Sequence, residues 1–97
     1  MIWTRQYKIG SDIVLAMADQ ELMDKRFEQD ELVLEVSSFY QGKLVSQEQA
    51  AKLTSSANII NAVGEKTIKM LSSTGIVEKE HARTVEGIPH IQIIMVR

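Results

Sequence analysis

The sequence predicts a single α+β domain spanning residues 1–97, and three observations carry that prediction. Two alternating apolar stretches each contain a short glycine turn, which is the pattern of a β-hairpin. Other segments repeat apolar residues at helical intervals. Strands and helices do not alternate in the regular way of a doubly wound sheet. The expected order is ββαβααββ: two hairpins and a central strand in a mostly antiparallel sheet, with two or three helices on one face.

The elements follow in turn. In the first strand Trp3, Tyr7 and Ile9 share one face, and Arg5 is the exception among them. Gly10-Ser11-Asp12 is turn chemistry, and Ile13 to Ala18 is a continuous apolar run suited to a buried strand. Asp19 has the character of an N-cap, with Glu21 in the first turn behind it, so Leu22, Met23 and Phe27 predict a short helix over 20–28. Leu32, Leu34 and Val36 share a face of the central strand, and residues 37–43 form a loop.

Ser46 with Gln49 is a capping box, and Val45 can pack on Ala50, so a helix is expected over 47–54. Ile60, Val63, Thr67, Ile68 and Leu71 predict a longer helix that ends at Gly75, with Ile76 folding back on its last turn. Arg83–Val85, Glu86-Gly87 and Ile88–Val96 read as the second hairpin. Pro89 cannot donate to a ladder and belongs at an edge or near the strand start. A chain of 97 residues at ordinary globular composition is expected to build most of its core at one layer interface.

Composition excludes several classes of function. There is no cysteine, so disulfides, thiolate metal sites and a cysteine nucleophile are all ruled out. Residues Met1 to Arg5 lack a secretory pattern and no apolar run approaches bilayer length, so a cytoplasmic protein without membrane contact is expected. The net charge is −2, with the acidic excess in residues 1–35 and a basic excess after them. Strong non-specific binding of nucleic acid is therefore not expected, because phosphate contacts need a cationic surface.

Three polar clusters remain as candidate sites. In the loop, Phe39 and Tyr40 precede Gly42-Lys43, a pairing of aromatics with a cation that can stack on bases or anchor a partner; Phe39 is expected buried and Tyr40 half-exposed. On a continuous helix Asn58, Asn61 and Glu65 would share a polar stripe. Gly64 within it calls for close packing or for a helix start there, whose free N–H groups can hold an anion. In the last strand His90 and Gln92 lie on one face. Met17, Met23, Met70 and Met95 read as core filler. No metal-ligand spacing surrounds His81 or His90, and no cofactor is implied.

Three blocks, taken in order, resemble a known family: Ser38-Phe39-Tyr40-x-Gly42, Ala57-Asn58-x-x-Asn61-x-Val63-Gly64-Glu65 and Gly87-Ile88-Pro89-His90-Ile91-Gln92. The family is the archaeal one catalogued as domain of unknown function 424, and the similarity extends over nearly the whole chain. The resemblance implies a cytoplasmic archaeal protein of no established activity, associated with translation and RNA-handling machinery. The expectation is a non-enzymatic module that binds a protein or ribonucleoprotein partner through Tyr40, Lys43, Asn58, Asn61, Glu65, His90 and Gln92. Two alternatives stand beside it: a small enzyme using Glu65 and His90 as an acid–base pair, and a homo-oligomeric structural protein, a homodimer for instance, pairing through an exposed edge strand such as Trp3–Ile9 or His90–Val96.

Overall fold

The computed structural model describes residues 1–95, so the Val96 end of the last strand lies outside the described residues. Strands β1 (Ile2–Ile9) and β2 (Asp12–Asp19) form the first hairpin, in register from Ile2 opposite Asp19 to Ile9 opposite Asp12. Their turn is Gly10-Ser11, with Gly10 at φ +61°. Two short strands, β3 (Arg26–Gln29) and β4 (Leu32–Glu35), pair only with each other. Strand β5 (Lys43–Val45), helix α1 (Gln47–Leu53), strand β6 (Ile59–Val63) and helix α2 (Glu65–Ser73) follow. Strands β7 (Arg83–Val85) and β8 (Ile88–Ile94) close the chain as a second hairpin. Glu86 and Gly87 in its turn have φ of +52° and +78°, the pair of positive values that a type I′ turn requires.

The main sheet runs β5-β1-β2-β6-β8-β7, and only its central β2–β6 pair is parallel. The α+β class, the two helices on one face and the mostly antiparallel sheet are as expected. Two of the helix ends, the start of α1 and the end of α2, are legible in the chain. The Ser46 hydroxyl accepts from Gln49 N at 3.2 Å, and the Gln49 side-chain Oε1 accepts from Ser46 N at 3.3 Å. At the end of α2, Gly75 N donates to Ser72 O and Ile76 N donates to Leu71 O, and Gly75 has φ +81°. That is a Schellman ending, with Ile76 packed on the core.

Three expectations are corrected. Residues 20–28 are not a helix: a 3-10 turn over Gln20–Leu22 is followed by β3. Asp24 takes φ +68°, and Asp24 N donates to Val36 O at 2.7 Å, so the chain turns into a hairpin before Phe27 can extend a helix. Phe27 then faces Leu34 across that hairpin. The predicted continuous helix through Asn58 and Asn61 is also absent. Residues 59–63 are a strand, and the helix begins only after Gly64. Period two is visible within the strand, since Ile60 and Ala62 join one core and Val63 the other.

The third correction concerns the core, which is double. One apolar layer lies between the sheet and the two helices, built on Ile2, Leu15, Met17, Ile60, Ile68 and Leu71. The second lies on the opposite face, where Leu22, Leu34 and Val36 cover Ala18, Val63 and Val85. The β3–β4 hairpin is the lid of that second core. It is tied to the β7–β8 turn by Glu28 N donating to Glu86 Oε2 and Glu86 N donating to Gln29 Oε1. This arrangement accounts for the unbroken apolar run of β2, which is buried on both faces from Val14 to Asp19. Met17 and Met70 are buried in the first core, Met95 packs against it and Met23 against the second.

Candidate binding face

Strand alternation and register decide which candidates meet. On the sheet face away from the helices, Arg5, Ala16, Asn61 and Gln92 stand side by side across four strands. In the neighbouring row Val63 is followed by His90 and then Arg83. The lid covers one end of this face, while Gln92 and Ile94 are exposed and Asn61 and His90 partly so. Among the described residues, β8 has no partner strand on its outer side beyond His90, and Ile94 is 69% exposed there.

His90 is the most constrained of these groups. Its Nδ1 is buried without a hydrogen-bond partner. An N–H at that nitrogen would be buried and unsatisfied, so the proton of the neutral ring belongs on Nε2. Burial, followed by the neighbouring Arg83 charge, lowers the His90 pKa from the ordinary 6.5. The neutral ring therefore contributes stability that is present above the unfolded value and lost as pH falls through the lower folded one. An NMR titration of the imidazole resonances should place the His90 midpoint below 6.5, and a midpoint above it would contradict this account.

The 37–41 loop folds over the β1 side of the same face. The Arg5 guanidinium donates to Ser38 O at 2.8 Å and lies 5.0 Å from the Tyr7 ring centroid. Tyr7 donates its hydroxyl proton to Phe39 O at 2.6 Å, and the two rings stack at 5.0 Å. Arg5, the exception in the first strand's apolar face, is thus a loop anchor. Contrary to expectation Phe39 is exposed, at 39%, because its ring lies on Tyr7 at the surface and not in the core. Tyr40 packs edge-on against Phe39 and against the second core, and burial raises its phenol pKa.

The other candidates are placed elsewhere. Lys43 is opposite Thr4, whose hydroxyl donates to Lys43 O, on the helix side of the sheet. Asn58 is a structural clamp: its Oδ1 accepts from Ile13 N at 2.9 Å, its N–H donates to Ile13 O, and its carbonyl accepts from Met95 N. Glu65 lines a cavity of about 400 Å³ with Ile68, Lys69, Thr84, Gly87 and Pro89. Thr84 and Pro89 alternate with His90 and face the helices, so Glu65 and His90 lie on opposite sides of the sheet. The geometry does not form an acid–base pair from them.

Gly64 explains itself through a residue that sequence reasoning assigned to another helix. Asp19, 3% exposed, caps α2 and not the chain that follows it. Its carboxylate accepts from Lys66 N at 3.1 Å, from Thr67 N at 2.8 Å and from the Thr67 hydroxyl at 2.7 Å. A Cβ on Gly64 would fall 2.2 Å from Asp19 Cγ. The N–H groups at the start of α2 do hold an anion, and it is the chain's own. Among the described residues no group of three or more His, Asp or Glu is placed to hold a metal ion, and no helix is long and apolar enough to cross a membrane.

Sequence reasoning did not select Arg83, although it is the direct cross-strand partner of His90. The hairpin register, readable from Glu86-Gly87, could have found it.

The fold has a solved relative. It is similar to the crystal structure of an uncharacterized conserved protein from Methanopyrus kandleri, with a TM-score of 0.86 and 26% identity over 99% of this chain and 93% of that one. No curated protein matches the chain. The family model described as "Protein of unknown function (DUF424)" matches residues 7–96. Since that match takes in all three motif blocks and nearly every strand and helix, the chain belongs to the family of unknown function 424.

Proposed function

We propose that this protein is a non-enzymatic binding module that docks on a protein or ribonucleoprotein partner through the uncovered part of its sheet. One observation carries the reading: Tyr40, Asn61, His90 and Gln92, drawn from three separate parts of the chain, lie on one sheet face. Polar side chains aligned on a rigid sheet make a contact surface whose geometry is fixed before a partner arrives. The separation of Glu65 from His90 removes the base and orienting group that the enzymatic alternative needs. A setting in translation or RNA metabolism, in the cytoplasm of an archaeon, belongs to the same proposal, and the solved relative from Methanopyrus kandleri accords with its archaeal part.

The test is capture from a native lysate, with and without ribonuclease, comparing the tagged protein with an Asn61→Ala, His90→Ala, Gln92→Ala variant. All three side chains are on the open face, and thermal melting checks that the variant is folded. Partner recovery should fall several-fold, as expected when contact residues are truncated. Unchanged recovery from a folded variant would remove this face from the function.

A further inference from the structure

Where β7 stops beside β8, a cavity of about 350 Å³ is lined by His81, Arg83, His90, Ile91 and Gln92. Each of its four polar side chains presents nitrogen: two imidazoles, a guanidinium and a carboxamide. Among the described residues no carboxylate lines it. Glu78, whose Oε2 is 3.9 Å from His81 Nε2, lines the neighbouring groove along Ile91–Ile94 and not this cavity. Arg83 and His90 are cross-strand partners, and Gln92 follows His90 on the same face. With Nδ1 buried and unpartnered, the proton of the neutral His90 ring is assigned to Nε2, which leaves that nitrogen as the donor.

We propose that this cavity binds a phosphate group, belonging to a nucleotide or to a single-stranded RNA backbone, through the Arg83 guanidinium and the His90 Nε2–H. Gln92 and His81 supply further donors. A guanidinium fork matches two phosphate oxygens, and donors arriving from two strands and a loop suit a tetrahedral oxoanion better than a planar carboxylate. The volume leaves space for a sugar beside the phosphoryl group. The chain's net charge of −2 gives no long-range attraction, so recognition is local to this cavity. The proposal rests on the partner-binding reading, in that it assigns one ligand chemistry to part of the same face.

The experiment is NMR on the isotope-labelled full chain, following the Arg83, His90 and Gln92 side-chain signals. Inorganic phosphate, uridine 5′-monophosphate and a short oligouridine RNA are titrated in turn, with succinate as the carboxylate control. These signals should shift together and saturate with the phosphate compounds and not with succinate. Arg83→Gln, at an exposed position, should weaken binding about tenfold or more, the loss expected for one charge-assisted hydrogen bond. Tighter binding of the RNA identifies the backbone phosphodiester as the ligand, and tighter binding of the mononucleotide identifies the monoester. Absent shifts, equal shifts with succinate, or indifference to Arg83→Gln would each overturn the proposal. Partner capture that survives the triple substitution while phosphate still shifts Arg83 defeats the wider reading and leaves the cavity standing; capture lost from that variant, with no phosphate shifts in the unaltered chain, does the reverse.

Discussion

Gly64→Ala should destabilise the protein by about 3–5 kcal/mol, read as a fall in the urea midpoint at unchanged slope. Two effects add. Gly64 has φ +108°, a conformation that costs an L-residue on the order of 1–3 kcal/mol. The new Cβ would also fall on the Asp19 carboxyl carbon at 2.2 Å, and that side chain cannot retreat without releasing the N–H groups of Lys66 and Thr67. Each buried donor left unsatisfied costs about 1–3 kcal/mol. A loss below about 1 kcal/mol in the same measurement would mean that the Asp19 contact is not what requires glycine here.

Asp19→Ala should cost about 3 kcal/mol, because it removes the acceptor for three donors, two of them on buried Thr67. Asp19→Asn keeps one acceptor oxygen and should recover part of that loss. The Asp19→Ala, Gly64→Ala double variant should be less destabilised than the two single losses added together. Once the carboxylate is gone, the alanine Cβ meets no obstacle there, and residues in contact couple in this way. Additive losses in urea denaturation would show that the two residues act independently.

How much of this was legible in the sequence depended on how local the determining interaction is. The capping box at Ser46, the ending at Gly75 and the turn at Glu86-Gly87 are set within six residues, and all three are formed as expected. Strand β6 was misread because Ile60, Val63 and Thr67 satisfy a helical period across a boundary. The β-branched run Ile59-Ile60 is what favoured a strand. The β3–β4 hairpin was misread because its turn uses Asp30 at φ +58° where glycine would have announced it. Asp19 does not cap the chain that follows it; the helix it caps begins 46 residues later, and no local pattern encodes that distance. At the candidate site, His90 and Gln92 could be paired from strand alternation alone. Asn61 joined them only when its segment proved to be a strand in register with Gln92.

The parallel ladder between β2 and β6 has a consequence for how the chain reaches its native state. It divides the sheet into an N-terminal half, β5-β1-β2, and a C-terminal half, β6-β8-β7, each held together by antiparallel pairs. The seam joins Val14–Ala18 to Ile59–Val63 and is fastened at one end by Asn58 on Ile13 and at the other by Asp19 on Thr67. Neither half can bury the inner edge of its own sheet. Closing the seam requires both hairpins and the long connection between them to be in place, so the loop-closure entropy is met before the contacts that offset it form. The two halves are therefore expected to fold together in one late, cooperative step, read as coincident urea transitions for probes placed in each half.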